Sequence, residues 1–190
     1  MDEANLVKCW QDGNIEAFRT LYEQYSNRAL RTAFLITGRM DIAEDAVQDA
    51  FIQSNSQIKQ LKDAQKFRPW FYRILVRQSW HYSSKEKGKI SFDDIDFKAK
   101  SDTMHAPELI VRFETKKVLH DAVSKLSTPL RTVMVLYYFN ELSIKEISKV
   151  LNCFEGTVKS RLHNARKTLQ KELEKDEFMS EIYFQEVKGV

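Results

Sequence analysis

The chain has 190 residues, 43% of them hydrophobic, and a formal net charge of +3. That apolar content is enough for real cores, so global disorder is excluded, and the length allows one or two domains. With only 5 glycines and 3 prolines, a turn-rich all-β architecture is disfavoured and long helices are allowed. The two cysteines, Cys9 and Cys153, lie far apart with no CxxC or His-rich spacing around them. This predicts reduced thiols in a cytoplasmic protein, with no zinc site, disulfide framework or other metal centre. The start, MDEANLVKCW, lacks a basic stretch followed by an apolar run, and no segment approaches the ~20 apolar residues of a membrane span. No signal peptide and no membrane insertion are therefore expected.

Charge is distributed in blocks. Residues 1–65 carry ten acidic and seven basic side chains, and residues 66–89 carry seven basic against one acidic, Glu86. Helical periodicity is lost in SFDDIDFKAKSDTMHAPE, which reads as an acidic linker. Residues 145–175 are basic again, eight to four. Two basic blocks, each ending a helical unit, are thus joined by a tether.

Early in the chain, Ile15, Phe18, Leu21, Tyr22 and Tyr25 recur at helical spacing, and Leu30, Ala33 and Phe34 extend the stripe. Gly38 is a natural stop. Asp41 then offers an N-cap, with Glu44 at the capping-box position. Beyond it Ala43, Ala46, Val47, Ala50 and Phe51 form an apolar face, leaving Glu44, Asp45, Gln48 and Asp49 largely off it. A further helix is predicted over about 67–84, with Pro69 in its first turn. Phe67, Phe71, Ile74 and Leu75 lie on one stripe and are expected in the core. In the second half, helices are predicted near 108–125, 129–139, 143–151 and 155–175.

The most specific motif is LSIKEISKVLNCFEGTVKSRLHNARKTL, residues 142–169. Ser143 with Glu146 makes a capping box, and Ile144, Ile147 and Leu151 give the first helix a buried face. Asn152, Cys153 and Phe154 form a short break. The second helix buries Val158, Leu162 and Ala165 and turns Thr157, Lys159, Ser160, Arg161, His163 and Asn164 outward. Gly156 is expected to allow close packing. Such a helix can offer donors to base edges while Lys and Arg neutralise phosphates. An ordinary helical hairpin with a solvated basic face is the plainer reading of the same pattern.

EGTVKSRLHNARKTL resembles the recognition helix of region 4 in the extracytoplasmic-function (ECF) sigma factors, LSIKEISKVL the helix before it, and LSTPLRTVMVLYYF the helix that opens that domain. Phe154 stands where a proline is common, and Asn152 where a glycine is common. The resemblance implies an all-α protein of two helical domains joined by a flexible linker. A region 2 helical bundle would occupy 1–88 and a linker 89–112. A region 4 helix-turn-helix would follow over 113–175, then a tail over 176–190. It also implies that Thr157, Lys159, Ser160, Arg161, His163, Asn164 and Arg166 contact the −35 element.

DIAEDAVQDAFIQ, residues 41–53, resembles region 2.2, which implies that Asp41, Glu44, Asp45, Gln48 and Asp49 dock the coiled-coil of the polymerase largest subunit. The implied partners are core RNA polymerase (coiled-coil and flap), promoter DNA and an anti-sigma factor, with no cofactor. FRPWFYRILVRQSWHY, residues 67–82, resembles regions 2.3 and 2.4, which melt and hold the −10 element. Aromatics that receive unstacked bases, interleaved with basic groups that track phosphates, suit single-stranded DNA. Lys66, Arg73, Arg77, Trp80, His81 and Lys85 are the candidates there. The loop 59–66 is a second place for an extruded base. The family often has Asn in place of Arg77 and Asp in place of His81, which bears on which −10 sequence is read.

No P-loop, GxGxxG or HExxH motif is present, and His81, His105, His120 and His163 have no ligand spacing, so no enzymatic activity is expected. The competing readings are a stand-alone helix-turn-helix regulator with an N-terminal sensing or dimerisation domain, and a helical module that binds only protein. The second leaves both basic blocks unexplained.

Overall fold

The structure, a computed structural model, describes residues 2–85, 118–119 and 121–175. The expected linker, the tail and most of the helix expected near 108–125 lie outside the described residues. No strand occurs among the described residues.

Helix α1 (Glu3–Gln11) leads into α2 (Ile15–Thr37), whose first turn is capped by Asn14 accepting from the Ala17 N–H at 3.1 Å. Gly38 ends α2 as expected. Its φ of 73° is left-handed, and its N–H reaches the Phe34 carbonyl at 2.7 Å. The buried row of α2 is Ala17, Leu21, Tyr25, Ala29 and Ala33. Ile15 and Tyr22, members of the predicted stripe, fall beside that row and stay 68% and 44% exposed.

Helix α3 (Met40–Gln57) does not begin at Asp41. Arg39 is its N-cap, and Asp41 is already helical, its carboxylate paired with the Arg39 guanidinium. A capping box needs the cap residue outside the helix, so Glu44 has no cap amide to reach. The Arg39 hydrogen bond instead holds the Asp41 carboxyl below its usual range, at the positive end of the helix dipole. Two single 3₁₀ turns, Ile58–Gln60 and Ala64–Lys66, then deliver the chain to α4 (Phe67–Lys85).

Aromatic rings hold this half together. Tyr25 lies 5.2 Å from Phe67 and 5.4 Å from Phe71, and Phe51 lies 4.8 Å from Phe71, centroid to centroid. Such pairs add about 0.5–1.5 kcal/mol each beyond their area burial. Phe67, Phe71, Ile74 and Leu75 are all buried, as their stripe predicts.

After helical residues 121–124, α5 (Thr128–Met134) runs into a widened π turn, Val135–Phe139, in place of the single helix expected over 129–139. The Asn140 N–H closes that turn on the Val135 carbonyl at 3.0 Å. The wider turn places Tyr138 against the last helix and Asn140 against α2. Helices α6 (Ile144–Leu151) and α7 (Glu155–Leu173) complete the helix-turn-helix. The Ser143–Glu146 capping box forms as predicted. Burial pushes the Glu146 carboxyl up, but its bonds from the Ser143 hydroxyl and amide outweigh this and leave it lowered. Asn152 ends α6 with φ 50°, taking the left-handed role of the glycine it replaces. Val158, Leu162 and Ala165 are buried as expected. Gly156 is not closely packed, because a Cβ there would meet nothing within 4 Å.

Two tethered modules were expected, and the structure packs them against each other. Val133, Leu136, Leu142 and Ile147 join the apolar cluster that contains Phe71 and Leu75. Polar contacts ring the junction. The Asn140 amide donates to the Thr32 hydroxyl at 2.9 Å, and the Trp80 indole N–H donates to the Thr132 hydroxyl at 3.0 Å. Arg28 and Arg68 donate to the carbonyls of Phe139 and Asn140. A smaller cluster, Ala122, Leu126, Ala165 and Leu169, belongs to the second half alone.

Candidate nucleic-acid interface

The outward polar face expected of α7 is exposed. Val158, Leu162, Ala165 and Leu169 form its one buried stripe. Ser160, His163 and Asn164, spaced i, i+3, i+4, lie opposite that stripe and are exposed. Lys159 and Arg166 are exposed on one flank, and Thr157 and Arg161 are half-buried on the other. Lys167, which the sequence reading passed over, continues the exposed face at i+7 from Ser160.

Arg166 is braced. Its Nε donates to the Tyr138 hydroxyl at 2.8 Å, and its guanidinium carbon lies 5.9 Å from the Tyr137 ring centre and 5.7 Å from that of Tyr138. The cation is therefore held in place on an aromatic pair while it stays in water. Tyr137 and Tyr138 read in the sequence only as part of an apolar helix. The widened turn that aims them at α7 left no trace there.

On α4 the exposed positions are Arg73, Arg77 and His81, at i, i+4 and i+8, and Ser84 in the last turn. The first three form one narrow basic ridge, because Phe71, Tyr72, Ile74, Leu75, Val76 and Ser79 close the rest of the circumference. Lys66 is exposed at the foot of the helix and paired with Asp63, whose carboxyl that bond lowers. Trp80 is half-buried and tied to Thr132. The side chain of Lys85 lies outside the described residues. The loop 59–66 exposes Lys59, Gln60, Lys62 and Gln65. The Gln11 amide of α1 braces it by donating to the carbonyls of Ile58 at 3.0 Å and Leu61 at 2.7 Å.

The five α3 candidates share one face. Asp41, Glu44, Asp45 and Gln48 are exposed. Asp49 is half-buried and accepts a 2.6 Å hydrogen bond from the Tyr82 hydroxyl, which that bond pushes up in pKa. The apolar part of this surface was missed: Ile52, 60% exposed, continues the face one turn beyond Gln48. Beside it, Glu44 and Gln48 border a groove between α2 and α3 floored by Phe18, Tyr22, Leu30 and Phe51. Tyr22, which the sequence shows as part of the α2 stripe, was the signal that could have found it.

Among the described residues no group of three or more His, Cys, Asp or Glu side chains could hold a metal ion. Cys9 and Cys153 are free and half-buried.

Residues 21–88 match Sigma-70 region 2, and residues 116–169 match Sigma-70, region 4. The chain is 31% identical over 176 residues to the ECF RNA polymerase sigma factor SigW of Bacillus subtilis (strain 168), which covers 88% of this chain and 94% of that one. It is 26% identical over 178 residues to the ECF RNA polymerase sigma-E factor of Haemophilus influenzae, covering 89% and 94%. Among solved structures it shares the fold of CnrH in complex with the cytosolic domain of CnrY, with a TM-score of 0.69 at 23% identity over 92% of this chain and 98% of that one. It also shares the fold of the sigma factor RpoE from Bartonella quintana in complex with the anti-sigma factor NepR, with a TM-score of 0.66 at 20% identity over 84% and 98%.

Proposed function

The chain belongs to the ECF sigma factors of RNA polymerase, and on that premise we propose which of its surfaces does which part of promoter recognition. The α3 face with Asp41, Glu44, Asp45 and Gln48 docks the coiled-coil of core polymerase, and Ile52 supplies an apolar anchor among the acids. Acidic groups around an exposed aliphatic suit a rigid, basic helix pair. The face of α7 reads the −35 element, with Ser160, His163 and Asn164 toward the bases and Lys159, Arg161 and Lys167 toward phosphates. Arg166, braced by its tyrosines, sets the angle of the helix against the backbone. The ridge of Arg73, Arg77 and His81 tracks the −10 strand, and Trp80 offers it a stacking face once the two halves part. Catalysis is left to the polymerase.

The observation that carries this reading is that Arg73, Arg77 and His81 on α4 and Ser160, His163, Asn164 and Lys167 on α7 face outward and take no part in either core. A stand-alone regulator would not need the acidic α3 face. Among the described residues no helix is long and apolar enough to cross a membrane. We assign the chain to the cytoplasm, where polymerase is, and assign an anti-sigma factor as a further partner because a relative of the same fold was captured with one.

The test is a binding titration with core polymerase, followed by run-off transcription. Glu44→Lys with Asp45→Lys should weaken core binding at least tenfold and leave thermal stability within about 0.5 kcal/mol, as exposed substitutions do. Asp49 is kept intact because it holds Tyr82. Unchanged affinity for core polymerase would remove the α3 face from the interface.

A further inference from the structure

Phe154 is the most exposed large hydrophobic residue among the described ones, at 86%. Single exposed apolar residues are common on protein surfaces, so exposure alone says little. Its place says more. It is the N-cap of α7, and it makes no side-chain cap bond, where Ser, Thr, Asp or Asn would. The position thus contributes neither a cap nor core packing. The backbone there is nonetheless fixed: the Phe154 carbonyl accepts from the N–H groups of Thr157 at 2.9 Å and Val158 at 3.2 Å. The ring is therefore carried by the first turn of the recognition helix. Gly156 beside it has no side chain, and the space around it is open. Lys159 and Ser160, five and six residues on, are exposed as well.

We propose that Phe154 packs against the C5-methyl group of a thymine at one edge of the −35 element. Recognition helices present their N-terminal residues to base edges. Thymine alone carries a methyl group in the major groove, and phenylalanine is among the side chains that contact it. An apolar ring is the wrong group for a phosphate, so the sugar-phosphate backbone is the poorer partner. The proposal rests on α7 reading the −35 element and adds a position that sequence resemblance does not supply.

The experiment uses holoenzyme assembled with the full chain, on promoters in which each −35 thymine is replaced in turn by deoxyuridine, which removes only the methyl group. Wild type should lose about fourfold in promoter binding at one thymine, the worth of one buried methyl group. F154A should lose about the same on the all-thymine promoter and become indifferent to deoxyuridine there, with its melting temperature and core-polymerase affinity unchanged. Three outcomes overturn the proposal: F154A keeps the wild-type response to every deoxyuridine; it weakens all promoter sequences alike; or it loses core polymerase instead of promoter preference. Ser160→Ala and Asn164→Ala are run in parallel. If these too leave −35 preference intact, the reading of α7 itself fails. If they shift it and F154A does not, only the Phe154 contact fails.

Discussion

The two basic helices carry their charge in opposite ways. Helix α7 buries one stripe, Val158, Leu162, Ala165 and Leu169, against the small second half, and leaves most of its circumference in water. Helix α4 packs against α2 and α3 on one side and α6 on the other, so that before its last turn only Arg73, Arg77 and His81 stand clear. In α7, then, an exposed polar side chain can be changed with little consequence for the fold, and a loss of function there would report on the DNA contact proposed for it. In α4, function and folding share the same few turns. Trp80 sits on the boundary between them.

The comparison is broken most directly at Phe71. It is fully buried among Tyr25, Phe51, Phe67 and Tyr72. Phe71→Ala should cost about 3–5 kcal/mol, the loss of transfer energy plus the cavity left behind. Ser160→Ala, the matched change on α7, should stay within about 0.5 kcal/mol. Thermal or denaturant melts of the two variants give the contrast in one experiment. Similar losses would mean that α7 is as deeply built into the fold as α4.

A smaller effect is expected at the junction of the halves. Asn140 is fully buried: its side-chain amide donates to Thr32, and its backbone carbonyl accepts from Arg68. Next to it, Glu141 holds a left-handed φ of 55°, and its carboxylate lies 3.8 Å from Arg28. The Tyr72 hydroxyl lies beside the Asn140 and Thr32 side chains, and Arg28 Nε is buried without a partner. Water would reach Arg28 Nε on opening, so parting the halves costs less than separating two wholly apolar faces of that size. Asn140→Ala should weaken the junction by about 1–3 kcal/mol. Spin labels on α2 and α7 should then report a longer and broader distance distribution, with helix content unchanged. An unaltered distance would show that the apolar contacts of Leu136, Leu142 and Ile147 hold the halves without help.

What could be read in the sequence follows from how local each feature is. The capping box at Ser143, the stop at Gly38 and the stripes of α4 and α7 depend on residues within a few positions of one another, and all of them formed. The start of α3 failed because Arg39, outside the pattern considered, captured Asp41. The exposure of Ile15 and Tyr22 was not legible, because helical spacing shows that a stripe exists but not how wide its covered part is. The π turn at 135–139 and the bracing of Arg166 by Tyr138 were out of reach, since both depend on packing between segments far apart in sequence. The same holds for the junction: Trp80 and Thr132, or Thr32 and Asn140, carry no mark of each other. The exposure of the candidates on α7 and of the ridge of α4 was legible because polar side chains at helical spacing opposite an apolar stripe have to face water.

The smallest expected effect separates the two roles of Trp80. Its indole N–H donates to Thr132, a bond between the halves, and its ring is the stacking face proposed for the −10 strand. Trp80→Phe removes the first and keeps much of the second. It should cost about 1 kcal/mol of stability, the net worth of one hydrogen bond, and leave transcription near wild type. Trp80→Ala removes both, and should lose a further ~1–3 kcal/mol of single-strand binding. The measurement is transcription from a duplex promoter and from one pre-opened by mismatches at −10. A residue that helps open the strands is needed on the first template and largely dispensable on the second, so Trp80→Ala should be impaired mainly on the duplex. Equal impairment of Trp80→Ala on both templates would leave Trp80 as a junction residue only. The extruded base would then pass to the loop 59–66, where Lys59, Gln60, Lys62 and Gln65 are exposed on a backbone held rigid by Gln11.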